Sequence, residues 1–275
     1  MRIIFWGVRG SLPVPGPKTS RIGGNTSCVE VLAAGERIIF DAGSGLRVLG
    51  NSLMASGEPA KASLFMSHVH HDHVMGWPFF VPAFLPTTEL KIFGERKNGK
   101  GIRDQMAGIM VDPYFPVTLD GAMKAKMTFK DVADGSMVRL SNAVTVRAMR
   151  LNHPNGALGY RVECTERGKK KAFAYVSDNE HVAYVENGVM ALARGAGAVV
   201  FDTAYTKEEY PRFKGRGHST PEEAVRVVKA AGAKKLVLFH HEMGHDDAAM
   251  EKILAHTRKL FRGTVLAREG LVIEL

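Results

Sequence analysis

The segment SHVHHDHVMG, Ser67 to Gly76, carries four histidines and one aspartate between His68 and His73, directly after the apolar run ASLFMS. Imidazole is the commonest protein ligand for transition metals, so this density at the end of a short β-rich run constrains the fold more than any other feature. The same arrangement recurs along the chain. RIIF ends in Asp41, SLFMS in His68, AVTVRAMRLN in His153, AFAYVS in Asp178, AVVF in Asp202 and LVLF in His240. In α/β proteins ligands gather outside the carboxyl ends of strands. A lone Asp or His there is usually a satisfied buried polar group, but six such ends predict one shared site built from distant segments.

With 275 residues, 45% hydrophobic and 24% charged, the chain is long enough for a substantial core, and one domain over 1–275 is expected. MRIIFWGVRG reaches Gly7 and Arg9 too soon for a secretory signal and reads as a first strand. No apolar run approaches the roughly 20 residues of a membrane helix, and two cysteines give no disulfide framework, so a cytoplasmic location and no membrane partner are expected. The net charge of +9 is spread out. Its densest run, ERGKKK from Glu166 to Lys171, reads as a solvated hairpin turn pointing away from the strand end at Asp178.

Three helices are legible. TPEEAVRVVKAAG has Thr220 as N-cap, Pro221 at the first position, Glu223 for a capping box and Gly232 as a stop. DDAAMEKILAHTRKLFRG places Met250, Ile253, Leu254, Thr257 and Phe261 on one side, with His256 solvated opposite. HVAYVENGVMALARGAG keeps the period through Val185, Val189 and Leu192 despite Gly188. The apolar VMGWPFFVPAFLP, Val74 to Pro86, suits either packing beneath the histidine turn or a homodimer surface.

Within the opening segment, His68, His70, Asp72 and His73 form H-x-H-x-D-H. With Asp41 in FDAGSG and the later His153, Asp178 and His240, this resembles the metallo-β-lactamase superfamily, whose fold is a four-layer αββα sandwich in the α/β class with a dinuclear metal site. The resemblance implies two divalent metal ions, zinc first, with manganese or iron also accepted by such nitrogen and oxygen ligands. It makes His68, His70 and His153 ligands of one ion, Asp72, His73 and His240 ligands of the other, and Asp178 the bridge. Asp72 is also counted among the catalytic residues. Asp41 is expected to orient the site through hydrogen bonds, while His71 and His241 are expected to be structural.

GHSTPEEAV and VVFDTAY resemble the second-site motifs of the ribonuclease Z branch, and the N-terminal FWGVRGSLPVPG resembles the cyclic-nucleotide phosphodiesterase relatives. The likeness implies that His218 protonates a leaving oxygen while Asp202 supports its ring. Arg216, in GRGH where those relatives usually have Trp, together with Asn25 and Ser27, is the expected substrate contact, with Arg9, Ser11 and Thr26 also in reach of the site. A bridging Asp178 disfavours antibiotic hydrolysis. The long tRNA-gripping arm of ribonuclease Z enzymes is missing between His153 and Asp178, where one hairpin fits. The expectation is therefore a phosphodiesterase for a small anionic diester, foremost a 3′,5′-cyclic nucleotide. The alternatives are an RNA-processing endonuclease of the ribonuclease Z type, a thioester hydrolase of the glyoxalase type, and a non-enzymatic sensor module.

Overall fold

The computed structural model describes residues 1–57, 59–182 and 186–275, without the side chain of residue 186. Val185, which the helical period used, lies outside the described residues. One sheet contains β1 (Arg2–Gly7), β2 (Cys28–Ala33), β3 (Glu36–Phe40), β4 (Lys61–Phe65), β5 (Glu89–Glu95) and β6 (Lys126–Val132) in that order, with β14 (Val272–Glu274) beside β1. The other contains β7 (Met137–Arg139), β8 (Val144–Leu151), β9 (Ala157–Glu166), β10 (Lys169–Val176), β11 (Ala198–Asp202), β12 (Leu236–Phe239) and β13 (Thr264–Leu266), again in order.

Strand alternation sorts side chains into three layers of core. In β12, Val237 and Phe239 face the first sheet, whereas Leu236 and Leu238 face outward. Phe40, Phe65, Tyr160 and Tyr175 meet between the sheets, with Phe40 stacked 5.0 Å from Tyr175. Outside the first sheet, Leu46, Leu49 and Leu53 of the helix Gly45–Ser56 cover Ile39 and Leu64. Outside the second, Leu192, Ala224 and Val228 of the helices Glu186–Ala193 and Pro221–Ala230 cover Val199 and Leu238. Helix, sheet, sheet, helix is the expected four-layer sandwich.

Topology brings the ligand-bearing ends to one edge. Strands β3 and β4 are parallel, as are β10, β11 and β12. Strand β8 is antiparallel to β9, which is antiparallel to β10, so β8 ends on the same side as β10. The basic hairpin turn at Lys169–Lys171 lies at the other end of β10, where Lys171 and the N-terminal amine both hold Glu166.

Thr220 caps the helix Pro221–Ala230 by accepting from Glu223 N, but Glu223 turns its carboxylate to Arg226, so the reciprocal half of the expected capping box gives way to a helix-surface ion pair. The helix Asp247–Leu260 stops one residue before Phe261, whose extended φ/ψ takes it off the expected helical stripe. Within Val74–Pro86, Trp77, Phe80 and Ala83 pack against the first sheet's outer core, while Phe79 and Val81 stay exposed.

Candidate metal centre

Asp41, His68, His153, Asp178 and His240 each lie within three residues of the end of a strand, where the chain turns at the edge. Asp41 and His240 adopt positive φ of 61° and 59°, and Ser11 in the N-terminal loop has 62°, conformations rarely held without surrounding support. His70 precedes the one-turn helix His71–Val74, which aims Asp72 and His73 at the same point. Four overlapping groups of potential ligand atoms result among the described residues; two of them include His218, and the other two are His68, His70 and His153, and Asp72, His73, Asp178 and His240.

Asp178 spans them. Its Oδ2 lies 3.7 Å from His68 Nε2 and 3.6 Å from His153 Nε2, while its Oδ1 lies 3.2 Å from both His73 Nε2 and His240 Nε2. One carboxylate oxygen therefore faces each group. Asp72 Oδ2 lies 3.2 Å from His240 Nε2 and accepts Ser11 N–H at 2.8 Å.

In His73 and His153 the opposite ring nitrogen is anchored. His73 Nδ1 donates to Asp41 Oδ2 at 2.7 Å, and His153 Nδ1 donates to Gly217 O at 2.9 Å. Asp41 is completely buried and also accepts Ser67 N–H at 2.7 Å and the Tyr175 hydroxyl at 2.8 Å. Such outer bonds fix the tautomer and aim Nε2 inward. His68 Nε2 and His73 Nε2 are buried with no hydrogen-bond partner, which a metal ion would supply, so the donor set fits two cations.

Electrostatics separate the groups. Burial and the neighbouring His73 charge hold His68 well below the ordinary imidazole range, and burial followed by other charges also lowers His70 and His153. For His73 burial works the same way, but Asp178, Asp72 and Asp41 outweigh it and raise the value. Burial opposes ionisation of Asp72 and Asp178, yet the surrounding imidazoles keep both far below the usual carboxylate range.

Beside the centre, His218 Nδ1 lies 2.8 Å from Asp202 Oδ2, and its ring stacks on His240 at 4.8 Å. Asp202 is fully buried and is fixed by the N–H groups of Asn179 and Ala204, each at 3.0 Å. Burial disfavours charge on His218, but Asp202 prevails and the group is pushed up to about 9. Arg216 is exposed, carries its guanidinium 5.2 Å above the Phe213 ring and lines the same small hollow as Ser11 and His218.

Three expected contacts are corrected. Asn25 spends its amide on Glu269 Oε2 at 3.0 Å and its carbonyl on the Ser44 hydroxyl at 2.9 Å. Ser27 is completely buried outside the hollow. Arg9, also completely buried, gives its guanidinium to Gly23 O at 2.8 Å and His245 O at 2.6 Å, which ties the loop down instead of facing substrate. His71 is exposed and outside both ligand groups; His241 is buried, donates to Ala267 O at 2.8 Å and is pushed down to about 3 by burial.

Glu180 was not singled out by the sequence. It is buried and accepts the Tyr210 hydroxyl at 2.7 Å, Gly215 N–H at 2.8 Å and Gly217 N–H at 3.0 Å. Because Gly217 O accepts from His153, Glu180 stands behind both that histidine and the turn carrying His218. Gly217 has a φ of 88°, and a Cβ there would lie 2.2 Å from His153 Nδ1, so only glycine permits the approach.

The beta-lactamase superfamily domain matches residues 36–241. The chain belongs to that superfamily. Ribonuclease Z of Haloarcula marismortui is 24% identical over 329 aligned positions, which cover 98% of this chain and 96% of that protein. Among solved structures, the metallo-beta-lactamase fold protein YhfI from Bacillus subtilis superposes with a TM-score of 0.74 at 17% identity, over 100% of this chain and 98% of its own. The short form of human tRNase Z gives 0.71 at 21%, over 100% and 99%. Over its whole length the chain is thus similar to ribonuclease Z proteins, and it is a metal-dependent hydrolase. No helix among the described residues is long and apolar enough to cross a membrane.

Proposed function

We propose that this hydrolase cleaves an RNA phosphodiester, using two cations held by His68, His70 and His153 on one side and Asp72, His73 and His240 on the other, with Asp178 shared. The observation that carries the reading is the sharing of Asp178 between the groups next to the His218–Asp202 pair. Two divalent cations there, zinc by ligand type, supply Lewis acidity toward phosphoryl oxygens and a nucleophile at neutral pH. Asp178 keeps the two positions together against their mutual repulsion. Asp41 and Gly217 hold His73 and His153 in the required tautomer.

His218 provides the proton. Its Nδ1 is committed to Asp202, which leaves Nε2 to donate to the departing ester oxygen, and Asp202 stabilises the charged ring beforehand. Cations beside it would draw its elevated value back toward neutrality, where a general acid works best. Arg216, at the rim of the hollow, supplies a charge for a non-bridging phosphoryl oxygen.

Full-length similarity to ribonuclease Z raises RNA above the cyclic nucleotide that the sequence placed first. A small diester remains the second reading, supported by the single β9–β10 hairpin that occupies the whole interval from His153 to Asp178. The test is a turnover panel on metal-loaded protein: an RNA with a 3′ extension, a linear dinucleotide, a cyclic nucleotide and a thioester. RNA and dinucleotide cleavage is expected. Turnover of the cyclic nucleotide alone would install the second reading, and thioester hydrolysis without diester cleavage would reject both.

A further inference from the structure

The hollow over the ligand atoms is small, about 150 Å³, and contains His70, Arg216 and His218. A much larger cleft of about 820 Å³ begins at His68 and His70 and includes neither Arg216 nor His218. The two cavities share His70. Val69, Val74, Met75 and Ile109 line the cleft with apolar side chains, and Tyr114 and Lys100, from the β5–β6 connection, line it too. That volume lies within the range of small-molecule sites, which are typically about 300–1,000 Å³.

The segment that brings Lys100 and Tyr114 to the cleft is tied down. Lys97 donates to the carbonyls of Asn155 and Gly156, in the loop that follows His153, so the β5–β6 connection is fastened to the metal edge. Tyr114 is 85% exposed, and its ring has no aromatic partner among the described residues, whereas the adjacent Phe115 packs edge-on against Phe79 at 5.7 Å. The Lys100 ammonium is exposed and has no ion-pair partner among the described residues.

We propose that this cleft is a nucleoside subsite in which Tyr114 stacks on an unpaired base and Lys100 meets an adjoining phosphate. The assignment rests on the phosphodiesterase reading and adds the side of the substrate that is recognised. With the leaving oxygen at His218, the ester arm that stays on phosphorus enters the cleft starting at His70. Apolar lining, an exposed ring and an exposed cation match a base, its ribose and a flanking phosphate, because base–aromatic stacking is tolerant of sequence and backbone contacts are ionic.

The test uses two diesters on metal-loaded protein: the p-nitrophenyl ester of 5′-thymidylate, and methyl p-nitrophenyl phosphate, which has no base. Both release nitrophenolate, so neither depends on His218. The unaltered protein is expected to prefer the nucleotide ester in kcat/KM. Tyr114→Ala should shrink that preference by roughly tenfold or more through KM, and Tyr114→Phe should keep it. An undiminished preference in Tyr114→Ala overturns the subsite, as does a changed oligomeric state without a changed preference, which would put Tyr114 in a subunit interface. Absence of turnover on both esters would instead remove the underlying phosphodiesterase reading.

Discussion

The two proposed cation positions differ in what surrounds them. His68, His70 and His153 form an all-imidazole group whose outer support is neutral: the Ser67 hydroxyl, 3.0 Å from His68 Nδ1, and the Gly217 carbonyl. The other group has Asp72 as a ligand candidate and Asp41 behind His73, both buried. Asp178 belongs to both. Carboxylates in a poorly hydrated pocket attract a cation more strongly than imidazoles do. The carboxylate-rich position should therefore hold its metal tighter, and the imidazole position, which opens on the cleft, should be the exchangeable one. Stepwise chelation followed by metal analysis is expected to show one equivalent leaving well before the other.

Asp178→Ala should break the comparison altogether, because it removes the carboxylate that lies within 4 Å of His68 and His153 and the shared charge between the cations. Metal content should fall at both positions and activity with it, by more than the roughly 10–100-fold that loss of an outer partner costs. Two full equivalents of metal in this variant would refute the bridging role.

His218→Ala separates chemistry from binding. Both metals should stay, and the rate on a substrate with a poor leaving group should fall about 10²–10⁴-fold, the range for positioned acid catalysis. On a nitrophenyl diester the loss should shrink, since nitrophenolate leaves without a proton. Equal losses on both would make His218 a phosphate contact.

The edge containing these residues was legible because Asp and His followed short apolar runs, and that depends only on local pattern. What depended on partners far along the chain was not. Asn25 and Ser27 sit in a Gly-rich loop of functional appearance, yet Glu269, near the C-terminal strand, takes the Asn25 amide. Glu180 lies two residues after Asp178 and resembles any loop acid until Gly215 and Gly217 fold onto it. Its only signal was an acid placed near the proposed bridge. Phe261 fitted a helical period that the chain leaves one residue earlier.

Asp41→Asn should sharpen the contrast in the opposite sense. The amide keeps the shape but loses the charge that supports His73, so affinity at the carboxylate-rich position should drop about 10–100-fold. In chelator titrations the two equivalents should then leave closer together. Unchanged separation would show that Asp41 only packs the edge. Glu180→Gln should act on the imidazole side instead, loosening the Gly215–Gly217 turn behind His153 and His218. It should lower kcat more than it raises KM, with both metals still bound at saturating concentration.

The smallest effect is expected at His71, and it tests the register of the whole turn. His71 and His73 lie on one short helix, but the first is exposed and the second completely buried with Nδ1 on Asp41. A helical turn separates residues two apart by about 200°, so both rings cannot face the same cation. His71→Ala should retain two metals with the same order of release, whereas His73→Ala should lose the tighter one. Measuring metal content and chelator release in the pair compares two imidazoles on one element, with the local backbone as an internal control. Loss of metal from His71→Ala with retention in His73→Ala would mean that the turn presents its other face, and would reassign the ligands of the carboxylate-rich position.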